Sequence, residues 1–201
     1  MSEPDPSSVE EHAPAGPGGV ASPVPEAKKR GSALRRLGEV VVIVAAAFIL
    51  ALLIQQFIVK PYVIPSPSME PTLVEGDRVL VNRLSYHFRA PERGDIIVFE
   101  PPGNEGSEPF IKRVVAVGGD TVSVHNGVLW INGEAQDEPY LREYPILDDF
   151  PEVTIAPGHV WAMGDNRNNS GDSRVFGPVS EDAIIGVAFA IYWPPDDFGG
   201  L

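Results

Sequence analysis

Residues 40–59 form a run of twenty in which only Gln55 and Gln56 are polar. As a helix at about 1.5 Å per residue, such a run spans roughly 30 Å, the hydrocarbon thickness of a bilayer. A buried core helix would carry an amphipathic stripe. This run has none, and Lys28, Lys29, Arg30, Arg35 and Arg36 gather on its N-terminal side. A cleavable leader expects an apolar region of about 7–15 residues ending at a small-x-small site. The run is longer and ends Phe57-Ile58-Val59-Lys60-Pro61-Tyr62, without such a site. It reads as a retained single-pass anchor, with its basic side in the cytoplasm and the chain after Lys60 outside.

The anchor divides the chain into three parts: a tail at 1–37, the transmembrane anchor at 38–59 and an extracytoplasmic domain at 60–201. The tail is rich in Pro, Gly, Ser and acidic residues and too poor in large apolar ones to offset chain entropy, so disorder is expected over its first 27 residues. Of the formal net charge of -13, most falls after the anchor, where 10 basic residues face 22 acidic ones. That balance argues against nucleic acid as a partner. The absence of Cys excludes disulfides, a thiol nucleophile and Cys-based zinc sites. The four histidines are scattered, none in a spacing such as H-E-x-x-H, and no G-x-S-x-G elbow is present. No metal or cofactor is therefore expected.

After Pro61 the pattern is one of short β runs at 78–82, 95–99, 110–117, 121–125, 128–131, 159–163 and 184–193, with turn residues between them. Asn126-Gly127 and Asn132-Gly133 suit tight hairpins, so 121–136 reads as a meander. Ser180 before Glu181-Asp182 caps one short helical turn. The expectation is a mainly β domain of antiparallel sheets, behind one N-terminal transmembrane helix.

Three segments are more particular than turns require. In Pro65-Ser66-Pro67-Ser68-Met69-Glu70-Pro71-Thr72-Leu73, prolines fix the backbone around two serines, either as a rigid linker or as a built site. In Phe110-Ile111-Lys112-Arg113-Val114-Val115, strand alternation puts Lys112 on one face with Phe110, Val114 and Ala116, and turns Arg113 the other way. Lys112 is then either an exposed edge lysine or a buried amine whose proton affinity falls until it can act as a base. Gly164-Asp165-Asn166-Arg167-Asn168-Asn169-Ser170-Gly171-Asp172-Ser173-Arg174 is an Asx-rich turn or a polar network.

In this order behind an anchor, the segments resemble the bacterial type I signal peptidases, Ser/Lys endopeptidases that remove signal peptides from exported proteins. The family pattern S-x-S-M-x-P-T-L is matched at 66–73, G-D-x-x-x-V at 76–81, R-G-D-I-x-V-F at 93–99, K-R-V-x-x-x-x-G-D at 112–120 and G-D-N-R-x-N-S-x-D-S-R at 164–174. The resemblance implies a partly open barrel of the signal peptidase type. It makes Ser68 the nucleophile, Lys112 the general base, and the Ser68 N–H and Ser66 hydroxyl the oxyanion donors. Ser170 would hydrogen-bond and orient the lysine, while Asp165, Asp172 and Arg174 would hold the last segment against the catalytic strands. The implied cleavage follows small residues of the Ala-x-Ala type, in pockets whose expected walls include Ile64, Met69 and Val114. Implied partners are the signal peptides of secreted pre-proteins, the lipid bilayer and the protein export machinery. Asn168 departs from the family's usual Asp. The competing readings are a self-cleaving Ser/Lys regulator, disfavoured by the anchor, and a non-catalytic anchored domain that binds exported chains, disfavoured by the presence of both Ser68 and Lys112.

Overall fold

A computed structural model describes residues 30–103, 106–141 and 145–201. The expected disorder of the first 27 residues lies outside them. Helix α1, Arg30–Phe57, starts inside the basic cluster and stops two residues before the end expected from the apolar run. Within it, 35–53 is long and apolar enough to cross a membrane, and none of that stretch is buried against protein.

The remainder is β1 Val59–Val63, β2 Arg78–Asn82, β3 Ile96–Phe99, β4 Phe110–Val117, β5 Thr121–His125, β6 Val128–Ile131, β7 Glu134–Ala135, β8 Phe150–Thr154, β9 His159–Met163, β10 Val179–Ser180, β11 Ile184–Trp193 and β12 Gly199–Gly200. The larger sheet, curled as a half-barrel, runs β1-β2-β11-β3-β4-β9-β10 with β12 on β11; the smaller runs β7-β6-β5-β8, and every pairing is antiparallel. The two Asn-Gly hairpins turn as expected, with positive φ at Asn126, Gly127, Asn132 and Gly133. Ser180 caps a single 3-10 turn, its hydroxyl accepting from Asp182 N.

Two strands the alternation pattern does not suggest, β1 and β8, contain Pro61 and Pro151. Proline removes a ladder donor and is tolerated at sheet edges, where both strands lie. Alternation is clean in β3, where Ile96 and Val98 join one apolar cluster while Ile97 and Phe99 join another. In β4 it breaks. A register shift between Val114 and Ala116 sends Ala116 into the cluster beneath the small sheet, so it does not share the face of Phe110 and Val114 as expected. Strand β4 is thus the seam of the domain, contributing Ile111, Val114 and Val115 to three different clusters.

Candidate active site

Ser66 is extended, and Pro67 opens a single 3-10 turn, Pro67–Met69, whose start its fixed φ favours. The turn presents Ser68 while driving Met69, fully buried, into the core beside Ile64 and Leu73. Loop residues clamp its backbone: Asn166 N donates to Ser68 O at 3.0 Å and Asn166 Nδ2 to Pro67 O at 3.0 Å. Ser66 Oγ donates to Ser68 Oγ at 3.2 Å.

Lys112 comes from the middle of β4, held between β3 and β9. It is 4% exposed, and its Nζ donates to Ser68 Oγ at 2.8 Å and to Ile111 O at 2.9 Å, with the Phe110 ring 5.4 Å away. Burial lowers the amine from its ordinary 10.5 to about 8, against the opposing pull of the Asp172 and Asp165 carboxylates. An amine at hydrogen-bond distance from a hydroxyl, and able to be neutral near physiological pH, can take the hydroxyl proton.

The 164–174 loop supplies the framework. Asp165 receives Arg113 in a two-pronged ion pair, at 2.9 and 2.7 Å, and the Thr72 hydroxyl at 2.6 Å, tying the lysine strand to the serine segment. Asp172 caps a short helix, α2, Ser173–Phe176, accepts from Gly164 N at 3.1 Å and pairs with Arg174 at 2.8 Å. Burial pushes the Asp172 carboxyl up, but the Arg174 guanidinium outweighs it and holds the group below the usual carboxylate range. Helix α2 then lays Phe176 against Phe110 and Phe99, with ring centroids 6.1 Å apart in each pair.

Two expectations need correction. Ser170 does not bond Lys112: its Oγ is buried without a hydrogen bond of normal geometry, and Asp172 is the charged group whose proton affinity it lowers. Ile64, Met69 and Val114 do not wall the cleft; each is at most 2% exposed and packs in the core. The cleft over the Ser–Lys pair, about 440 Å³, is lined by residues 65–68, 108–112, Asn169 and Gly171. Asn168, the departure from the family, accepts from Leu147 N and donates to Pro145 O, tying the loop to a segment more than twenty positions before it.

The family model described as signal peptidase, peptidase S26, matches residues 37–193. The chain belongs to that family. It is 45% identical over 161 residues to the probable signal peptidase I-1 of Synechocystis sp., a match covering 77% of this chain and 82% of that protein. To signal peptidase IB of Staphylococcus aureus it is 36% identical over 181 residues, covering 82% and 93%. A solved signal peptidase I from Enterococcus faecalis V583 is 32% identical, with a TM-score of 0.44 over 49% of this chain and 97% of that one. The chain is accordingly a serine endopeptidase that removes signal peptides. Helix α1 together with this kinship suggests a membrane-anchored signal peptidase.

Several residues of this signal peptidase site escape sequence reasoning. Arg113, assigned only a direction, is a principal tie, and Thr72 and Asn166 bond across to it or to the serine segment. Arg167 and Glu138 pair at 2.7 Å with side chains 2% and 8% exposed, and Tyr140 stacks on Arg113. Their partners lie dozens of positions away, so spacing carries no signal for them. For Thr72, Arg113, Asn166 and Arg167, presence within the matched segments is the clue; Glu138 and Tyr140 lie outside them.

Proposed function

We propose that Ser68 is the nucleophile and Lys112 the general base of this signal peptidase. The observation that supports it most is the buried amine of Lys112 standing 2.8 Å from Ser68 Oγ. In its neutral form Lys112 accepts the hydroxyl proton as Ser68 attacks the scissile carbonyl. The tetrahedral intermediate collapses as Lys112 returns the proton to the leaving amine, breaking the C–N bond and leaving an ester on Ser68, and Lys112 then activates the water that hydrolyses the ester. The developing oxyanion is met by the Ser68 N–H and by the Ser66 hydroxyl, which turns from its 3.2 Å contact with Ser68 Oγ towards the substrate oxygen.

Asp165, Asp172 and Arg174 hold the loop that clamps the serine segment. The open cleft fits an extended chain with small side chains of the Ala-x-Ala type before the cut. Large residues would be excluded by Pro65, Pro67, Pro109 and Phe110, which have replaced the walls expected from sequence. The anchor places the N-terminus in the cytoplasm and the catalytic domain, residues 60–201, outside, on the basic cluster before the apolar run. The bilayer and the export machinery are then its surroundings, and signal peptides of secreted pre-proteins its substrates.

The test uses full-length protein in detergent and a quenched peptide bearing Ala-x-Ala. Ser68→Ala and Lys112→Ala should each abolish cleavage, and full activity in either would refute the pair. Protease added outside intact cells should digest the catalytic domain; its protection would refute the orientation.

A further inference from the structure

We propose that Tyr140 is a positioning residue for the peptidase reaction, holding the Arg113 guanidinium against Asp165 and thereby fixing the charge that Lys112 sees. This rests on the Ser68–Lys112 reading above and adds a group outside the matched motifs.

The guanidinium of Arg113 is used on its edges and on a face. Nε and Nη2 meet Asp165, Nη1 donates to Gly94 O at 3.1 Å, and Nη2 also approaches Thr72 Oγ1 at 3.4 Å. The Tyr140 ring covers one face, its centroid 4.0 Å from Cζ. Tyr140 is itself fixed: its hydroxyl donates to Glu138 Oε1 at 2.7 Å, and Glu138 is gripped by both terminal nitrogens of Arg167, at 2.7 and 2.8 Å. Arg167 Nε returns to Gly164 O at 3.0 Å. The stretch after β7 therefore reaches from the small sheet across β4 to the loop that clamps the serine.

A stitch between the two sheets would account for the Arg167–Glu138 pair alone. It does not account for an aromatic face spent on the residue next to the proposed base. Two carboxylates act on the Lys112 amine, Asp165 and Asp172, and both favour its charged form. Each is neutralised by one arginine, Asp172 by Arg174 and Asp165 by Arg113. The remaining groups in contact with the amine, Ser68 Oγ, Ile111 O and the Phe110 ring, carry no net charge, and Glu108, which also lines the cleft, is exposed to solvent. If water reaches the guanidinium face and Arg113 loosens, Asp165 is left less compensated and Lys112 keeps its proton to higher pH. The ring thus protects the supply of neutral amine.

Full-length protein in detergent would be assayed on the Ala-x-Ala peptide from pH 6 to 10, with thermal unfolding confirming the fold of each variant. Tyr140→Phe keeps the ring and should hold kcat within about twofold with the acid limb unmoved. Tyr140→Leu removes the face and should lower kcat at neutral pH about tenfold at nearly constant KM, moving the acid limb of kcat/KM up by roughly one pH unit. If Tyr140→Leu fails to fold, Tyr140→Met, which fills the space without a ring, carries the same expectation. A wild-type limb and kcat in the folded Leu or Met variant overturns the inference, as does a Tyr140→Phe loss as large as that of Leu. Ser68→Ala and Lys112→Ala run alongside: activity in either condemns the catalytic pair itself, whereas their inactivity with an unmoved limb condemns only the role of Tyr140.

Discussion

Raising the pH from 7 to 9 is the most direct perturbation of the proposed base. With the Lys112 amine lowered by burial to about 8, the neutral fraction is about 9% at pH 7 and about 91% at pH 9, a roughly tenfold rise. A lysine at its ordinary 10.5 would be neutral to only about 0.03% and 3% at those values, so burial raises the competent fraction at pH 7 by roughly 300-fold. The plot of log kcat/KM against pH should climb with unit slope below about 8 and level above it. The free-enzyme limb is the right readout because the cleft is open to solvent before substrate enters. A line that keeps unit slope through pH 9.5 would mean an exposed, ordinary lysine, and a flat profile from 6 to 9 would mean that Lys112 does not titrate in the reaction. Either result refutes the burial argument.

The same desolvation has a stability consequence. Because the folded state binds the Lys112 proton less tightly than the unfolded chain, stability rises with pH between about 8 and 10.5, and the full penalty applies below 8. That penalty is about 3 kcal/mol, and Lys112→Met would relieve it while removing one donor each from Ile111 O and from Ser68 Oγ, which keeps its bond from Ser66, at about 1 kcal/mol each or less. The variant should be inactive yet as stable as the parent or slightly more so at pH 7, an advantage that vanishes towards pH 10; destabilisation by thermal unfolding at pH 7 contradicts this. Gly164→Ala acts through space instead: a Cβ there would overlap Ser68 O and Ser170 Oγ. Overpacking of this kind costs about 1–3 kcal/mol, and because a backbone oxygen of the proposed nucleophile must give way, kcat/KM should fall more than hundredfold, measured against the parent on the same peptide. Activity within threefold of the parent would show that the serine segment can shift freely.

Period-two runs were legible wherever a strand buries one or both faces, so β2, β4, β5, β6, β9 and β11 stand where their apolar residues put them. Edge strands were not, because Pro61 and Pro151 are tolerated only through their position in the sheet, which local sequence does not contain. The cleft walls failed for a related reason. Met69 is adjacent to Ser68 in the chain, yet a 3-10 turn points the two apart, and the real wall includes Glu108 and Pro109, about forty positions on. Net charge says nothing of which carboxylates are buried. A surplus of carboxylates suggests a solvated face, but the side chains of Asp165 and Asp172 are fully buried and that of Glu138 nearly so. Each is matched to one arginine, and a buried anion without such a partner would be strongly destabilising. Asp165 and Asp172 of these pairs both act on the buried Lys112 amine, favouring its charged form. The charges that make the domain look like a generic acidic surface therefore include the ones that bear on its proposed base, and for Glu138 and Asp165 the pairing, across 29 and 52 residues, is information that only the fold supplies.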